Sequence, residues 1–169
     1  MPKSKPITME QRMAAWMLMN DETWQRHANP LSGYSRMLTL PMLVLLLWKR
    51  RSLGGWTWVG LLFLMIWNWW NPRAFPRPKQ TNNWMSKAVL GERIWLQRGQ
   101  LQVPPPLTKG IERWILLSAS GMPFLIHGLW RFRPGSTGIG MVLIYLGKLL
   151  FLNRMVKLTD ARRSQKRCH

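Results

Sequence analysis

Apolar residues are concentrated in a few long blocks along the chain, and polar and charged residues lie between these blocks. A helix that crosses a bilayer needs roughly 17–25 mainly apolar residues, so this pattern favours membrane spans over a water-soluble core. It predicts an all-α membrane protein, an antiparallel bundle of four transmembrane helices in one membrane domain over residues 1–169. The predicted spans are residues 31–48, 54–70, 112–130 and 137–152.

Local signals define the ends of these spans. Asn29-Pro30 supplies a helix N-cap followed by proline at the first helical position, which favours a helix start there. Asn71-Pro72 is expected to end the second span, because the residue before a proline disfavours helical backbone angles. Tight turns at residues 49–53 and 131–135 are expected to join the spans into two hairpins.

Three segments outside the spans carry further predicted structure. Residues 8–28 have the apolar spacing of an amphipathic N-terminal helix, and Asn20 offers an alternative start within that segment. The long polar loop of residues 71–111 is expected to contain a helix over residues 83–97 that lies on the membrane surface. The basic tail, residues 153–169, is expected to fray.

The charge of the chain suggests its orientation. There are 25 Lys and Arg residues against 6 Asp and Glu residues, a formal net charge of +19. With the N-terminus in the cytoplasm, 19 of the basic residues fall on the cytoplasmic side and 5 fall in the two short outer turns. Basic residues accumulate on the cytoplasmic side of membrane proteins, so both termini are predicted to be cytoplasmic.

The 12 Trp residues agree with this topology. An indole ring favours the membrane–water interface, where its body is in the apolar zone and its N–H stays near polar groups. Trp residues flank the outer turns and also the inner ends of the predicted spans. A soluble core would not need them to be sorted in this way.

Cysteine content excludes two kinds of chemistry. Cys168 is the only cysteine, so no intrachain disulfide and no cysteine cluster for zinc can form. We therefore expect neither a metal nor a cofactor. A cleavable signal peptide is not expected either, because charged residues such as Glu10 and Asp21 precede the first strong apolar run.

Small and ionisable residues in the last two spans suggest how these spans pack. Gly147 should lie opposite Ser118, because small residues let antiparallel helix backbones approach closely. His127 and Lys148 are the ionisable groups deepest in these spans, and such groups are candidates for function. They should lie in opposite leaflets, too far apart for a proton relay, and Lys148 is expected to extend to the cytoplasmic surface.

One predicted cytoplasmic cluster contains the residue types that phosphate-ester chemistry requires. Such chemistry needs a proton carrier and cations that stabilise developing negative charge. The non-catalytic interpretation, which we favour, is that the arginines hold lipid phosphates and the glutamate neutralises one of them. No metalloprotease, serine-hydrolase or phosphate-loop motif occurs in the sequence. The candidate catalytic residues are His27, Glu92, Arg93, Arg26 and Arg36.

Basic residues near the predicted cytoplasmic surface are expected to bind anionic lipids. They are interleaved with Trp at interface depth, which makes a membrane with anionic lipids a more economical partner than nucleic acid. A protein partner or a second copy of the chain is a further candidate for this face. The expected lipid-binding residues are Arg73, Arg77, Lys87, Arg93, Lys148 and Arg154.

Three stretches of the sequence resemble a family of uncharacterised bacterial integral membrane proteins, a domain of unknown function. They read NDETWQRHANP at residues 20–30, NPRAFP with NW and AVLGERIWL within residues 71–96, and LGK with FLNRM within residues 146–155. The resemblance covers roughly residues 20–158 and implies a multi-pass protein of the bacterial inner membrane. An Asp is usual in this family where Asn153 stands, so an ion pair with a nearby cation would be missing here. The family has no known activity, so no functional residues carry over.

Three functions remain compatible with the sequence. The favoured one is a non-catalytic accessory or scaffold protein of the inner membrane with a basic, lipid-binding cytoplasmic face. The alternative is a small membrane enzyme that acts on a lipid or polyprenyl phosphate at the cytoplasmic interface. A small transporter is the weakest hypothesis, because no ionisable group is predicted at mid-bilayer and no inverted repeat is evident.

Overall fold

The computed structural model describes residues 12, 19–97 and 108–167, and over these residues it is helical with short connections. The all-α prediction is therefore confirmed. Seven helices are defined within this part of the chain. They are α1 (Asp21–His27), α2 (Pro30–Trp48), α3 (Arg50–Leu53), α4 (Trp56–Ala74), α5 (Trp84–Leu96), α6 (Ile111–Arg131) and α7 (Pro134–Arg167).

Two of these helices are long and apolar enough to cross a membrane by length and composition. They are Pro30–Trp48 and the segment Pro134–Gln165 of α7. Helix α4 contains five Trp and two Asn residues, and α6 contains Glu112 and His127, which lowers the hydropathy of both. The structure thus identifies two candidate spans, and the four-span bundle stays a prediction.

Side-chain caps determine where the first two helices begin. The Asn29 side chain accepts a hydrogen bond from the Leu31 N–H at 3.0 Å, and Pro30 occupies the first turn of α2. The Asn20 side chain accepts from the Thr23 N–H at 2.8 Å, so α1 begins at the alternative start. Residues 8–11 and 13–18 of the predicted amphipathic segment lie outside the described residues.

Helix α4 does not end at Asn71-Pro72, and that prediction is wrong. The helix continues through Pro72 to Ala74. Asn71 is fully buried, and its side chain binds Ser32 and Ser35 of α2, which holds this turn in place. Proline removes one backbone hydrogen bond, a loss that tertiary contacts of this kind can offset.

The predicted fraying of the basic tail is also wrong, because α7 runs without interruption from Pro134 to Arg167. Met155, Leu158 and Thr159 are buried in the second half of this helix. On the same half, Asp160 forms an ion pair of 2.8 Å with Lys87 of α5. Burial of apolar side chains, which composition alone does not reveal, stabilises this segment as helix.

Helix α5 lies within the predicted surface-helix segment and begins after Asn83, whose side chain accepts from the Ser86 N–H at 2.8 Å. One face of α5 packs against the second half of α7 rather than lying free. The residues of this core are Ala88, Trp95, Ile111, Phe151, Leu152, Met155 and Leu158.

Small residues bring α6 and α7 into backbone contact, as the sequence predicts. A Cβ added to Gly147 would lie 2.5 Å from the Ser118 nitrogen, which confirms that these two residues face each other. Gly140 packs against Leu125 in the same way, and the Ser118 hydroxyl donates to the Ile144 carbonyl at 3.1 Å. Close approach of this kind provides the packing energy of helix pairs in lipid.

Arginines and an aromatic ring connect the two hairpins at the end opposite α1. The Arg50 guanidinium donates to the Trp130 carbonyl at 3.1 Å and lies 3.9 Å from the centroid of the Phe132 ring. Arg51 stacks on the same ring at 4.3 Å, and Trp48 packs against its edge. The predicted turn at residues 49–53 is thus mostly a single helical turn, α3.

Candidate functional site

A cavity of about 260 Å³ lies where α1, α2, α4, α5 and α7 meet. Helices α2, α5 and α7 contribute residues at helical spacing, so one face of each is turned towards the cavity, and α1 and α4 contribute one residue each. The wall combines ionisable groups with apolar side chains. Its residues are His27, Gly33, Arg36, Met37, Leu40, Asn68, Met85, Val89, Glu92, Ile144, Tyr145, Lys148 and Leu152.

Three of the candidate catalytic residues, His27, Arg36 and Glu92, meet in this cavity. Lys148 joins them, although the sequence predicts that it extends to the cytoplasmic surface. Arg36 likewise turns towards His27, and one of its terminal nitrogens lies 3.3 Å from His27 Nε2. The sequence thus identifies most of the ionisable groups, and the structure shows that they share one space.

The other two candidates, Arg26 and Arg93, are absent from the cavity wall. Arg26 forms an ion pair of 3.0 Å with Glu22, and Arg93 pairs with Asp21. Acidic residues of α1 therefore neutralise these two arginines, and Glu92 does not perform that role for Arg93. No ion pair involving Glu92 occurs within the described residues.

Some of the predicted lipid-binding residues pair with carboxylates, and one lines the cavity. Lys87 pairs with Asp160 at 2.8 Å, and Arg77 lies 4.0 Å from the Glu22 carboxylate. Lys148 lines the cavity, with its ammonium 5.3 Å from the centroid of the Phe151 ring. Lipid binding by these residues remains a prediction.

A chain of buried hydrogen bonds supports His27 from behind. The Asn71 amide nitrogen donates to the Ser35 hydroxyl at 2.7 Å, because that hydroxyl donates in turn to the Ser32 carbonyl at 3.1 Å. The Asn71 oxygen therefore accepts from the Ser32 hydroxyl at 2.7 Å. Ser32 has then used its only proton, so His27 Nδ1 must donate to it, across a distance of 2.7 Å.

This chain assigns the tautomer of His27. With its proton on Nδ1, the neutral ring presents the Nε2 lone pair to the Arg36 guanidinium. Burial of the ring, followed by the positive charge of Arg36, lowers the pKa of His27 from 6.5 to about 4. The Glu92 carboxylate acts in the opposite direction, and Lys148 lowers the pKa further. His27 is therefore neutral at physiological pH and orients Arg36.

Acidification from about pH 7 to about pH 5 should lower the free energy of unfolding by about 2 kcal/mol. In this window the unfolded chain protonates His27 near its ordinary pKa of 6.5, whereas the folded ring has a pKa of about 4. The stability that neutral His27 contributes is complete above its pKa in the unfolded chain. It is lost as the pH falls towards its lower pKa in the folded protein. Denaturant unfolding in detergent, followed by Trp fluorescence, measures the loss.

His27→Gln provides the control for this pH dependence, because an amide does not titrate in the window. The variant should lose most of the stability change that acidification causes in the wild type. If the wild type and His27→Gln lost the same stability on acidification, His27 would not be the neutral, buried group described above.

Some contributors to the site gave no signal in the sequence. Ser32 and Asn71 are fully buried, yet in the sequence Asn71 resembles the polar end of a helix. The Tyr145 hydroxyl donates to the Met37 carbonyl and so joins α7 to α2 beside the cavity. Within the described residues, no group of three or more His, Cys, Asp and Glu residues is arranged to hold a metal ion.

Comparison with known families agrees with the resemblance seen in the sequence. The model of a family of unknown function, DUF6653, matches residues 8–167, so the chain belongs to this family. No match was found among curated proteins or among solved structures. The family description assigns no activity, and a functional hypothesis has to come from the geometry of the chain itself.

Proposed function

We propose that this member of a family of unknown function is a multi-pass membrane protein that acts as a non-catalytic accessory or scaffold. In this proposal α2, α4, α6 and α7 cross the bilayer, and both termini are cytoplasmic. The basic residues around α1, α5 and the end of α7 contact anionic lipid head groups. Attraction of this kind contributes about 1 kcal/mol per Lys or Arg near the surface.

The distribution of exposed apolar side chains carries the proposal. Within the described residues, every large apolar side chain with a mostly open surface belongs to α2, α4, α6 or α7, and none belongs to α1 or α5. Trp56, Trp58 and Trp130 expose 73%, 74% and 77% of their surface. A water-soluble monomer rarely exposes a large contiguous apolar patch, whereas lipid chains cover such a surface without cost.

The enzyme hypothesis gains one observation, since His27, Arg36 and Glu92 line the same cavity. A general base works best when its pKa lies near the working pH. The pKa of His27 is about 4, and its free nitrogen faces Arg36 rather than a space where substrate could lose a proton. These two facts favour binding over proton transfer, and the non-catalytic role is the better supported hypothesis.

Membrane topology can be measured by cysteine labelling, because Cys168 is the only cysteine to be removed. In a Cys168→Ser background, Gly135→Cys places a thiol in the predicted outer turn and Lys79→Cys places one in the predicted cytoplasmic loop. A membrane-impermeant maleimide should label the first in intact cells and the second only after permeabilisation. The protein should also stay in the membrane pellet after an alkaline carbonate wash.

Either of two results would contradict the proposal. Recovery of the protein in the soluble fraction would mean that another protein surface, and not lipid, covers the apolar helices. Equal labelling of both thiols in intact cells would overturn the arrangement of the spans. Ser52→Cys, in the other predicted outer turn, serves as the matched control and should behave like Gly135→Cys.

A further inference from the structure

The cavity wall contains both ionisable and apolar side chains. The inner end of the bundle is the end where α2 begins at Pro30 and where α1 and α5 lie. Arg36 lies in the second turn of α2, and Leu40 lies one turn further from that end. Because α7 runs in the opposite direction, Lys148 is nearer the inner end than Ile144. On α2 and α7, Arg36 and Lys148 therefore lie nearer the inner end than Leu40 and Ile144, and Leu152 adds apolar surface at the inner end as well.

A membrane lipid combines the same two kinds of group, a phosphate at the interface and acyl chains beneath it. The cavity is slightly smaller than the roughly 300–1,000 Å³ of typical small-molecule pockets, so a head group fits better than a whole lipid. Glu92 and Lys148 also line a second cavity, of about 340 Å³, together with apolar residues of α6 and α7. That neighbouring space offers an apolar surface beside the charged groups.

The charges in the cavity suggest the class of ligand. Arg36 and Lys148 contribute two positive charges, Glu92 contributes one negative charge, and His27 is neutral. One net positive charge remains, which a singly charged phosphodiester would balance. A dianionic phosphate monoester would overcompensate it and would bring a second negative charge close to Glu92.

We propose that this cavity binds the head group of one monoanionic phospholipid, with its phosphodiester between Arg36 and Lys148. The inference rests on the proposed membrane location. A guanidinium suits this task because its planar fork can hold two phosphate oxygens at once. His27 keeps one terminal nitrogen of Arg36 in place, which leaves the other donors for the phosphate. Glu92 accepts a hydrogen bond from a hydroxyl group of the head group.

Native mass spectrometry can detect such a bound lipid directly. The full chain is reconstituted in phosphatidylcholine nanodiscs that contain a minor fraction of phosphatidylglycerol, and it is then released and weighed. The wild type should keep one phosphatidylglycerol molecule, and Arg36→Gln and Lys148→Gln should each reduce its retention about tenfold. Arg131→Gln is the matched control, since Arg131 is exposed at the opposite end of the bundle, outside both the cavity and the proposed lipid-binding face.

Glu92→Gln tests the charge balance independently of folding. This variant raises the net charge of the cavity, so it should shift preference from phosphatidylglycerol towards phosphatidic acid, whose monoester carries more negative charge. An unchanged preference would overturn the role given to Glu92. Retention of phosphatidylglycerol at the wild-type level by both Arg36→Gln and Lys148→Gln would overturn the site.

Two further results separate the possible failures. If sn-glycero-3-phosphoglycerol, a water-soluble phosphodiester, displaced the lipid at equal concentration, the ligand would be a water-soluble phosphate and the lipid proposal would fail. If the protein stayed in the carbonate-washed membrane but kept no phosphatidylglycerol, this inference alone would fail. Recovery of the protein from the soluble fraction would instead remove the proposed function itself.

Discussion

Gly147→Ala should lower the free energy of unfolding by about 2 kcal/mol and loosen the hairpin of α6 and α7. A Cβ at this position would lie 2.5 Å from the Ser118 nitrogen and 2.7 Å from the Trp114 carbonyl oxygen. Both atoms belong to the backbone of α6, so no side chain can rotate to make room, and the helices have to separate. Unfolding in mixed detergent micelles, followed by Trp fluorescence, measures the change.

Gly138→Ala is the matched control for this prediction. It lies on the same helix, and a Cβ added there would meet nothing within 4 Å. The helix propensity of alanine exceeds that of glycine by up to about 1 kcal/mol. This variant should therefore be as stable as the wild type or slightly more stable. If both alanine variants gained stability equally, the close approach of α6 and α7 at Gly147 would be refuted.

Asn71→Ala should cost about 3 kcal/mol, because it removes the central member of a fully buried hydrogen-bond chain. The side chain accepts from the Ser32 hydroxyl and donates to the Ser35 hydroxyl, each at 2.7 Å. Alanine would leave the Ser32 hydroxyl with only the more distant backbone carbonyl of residue 71, at 3.5 Å, and would open a small cavity. His27 would also lose the arrangement that fixes its tautomer, so the pH dependence of stability should become weaker.

A double-mutant cycle separates this network from a simple cavity effect. If Asn71 and Ser35 act through their hydrogen bond, Ser35→Ala should cost less in the Asn71→Ala background than in the wild type. Strictly additive costs would contradict the network. Asn153→Ala, an exposed position on α7, controls for the loss of an asparagine and should change stability by less than about 0.5 kcal/mol.

Local sequence signals predicted those features that local chemistry controls. Asn29 caps α2 at the expected place, and Gly147 faces Ser118 because both lie on the apposed faces of two antiparallel helices. The errors occurred where a distant contact outweighs a local preference. Asn71 holds the turn around Pro72 through contacts with α2, and the basic end of α7 is helical because it packs on α5.

The sequence predicted which types of residue form the candidate site, but it did not predict which of the candidates share one cavity. His27, Arg36 and Glu92 could be singled out because phosphate-ester chemistry needs a proton carrier and cations for the developing charge. One local signal distinguished Arg26 from Arg36, since Glu22 precedes Arg26 by four residues and pairs with it on α1. Lys148 could be assigned a depth from its position in α7, but its neighbours depend on how α7 crosses α2.

The packing of α5 on α7 has a consequence for biosynthesis. A ribosome delivers α5 well before α7, yet the core partners of α5, among them Phe151 and Met155, lie in α7. Lys148 and Tyr145, which complete the cavity, also emerge in α7. The nascent chain therefore carries an undocked α5 and an incomplete cavity until α7 has been synthesised. A chain truncated before residue 145 would keep its first hairpin but would lack the cavity, because Tyr145 and Lys148 would be missing from its wall.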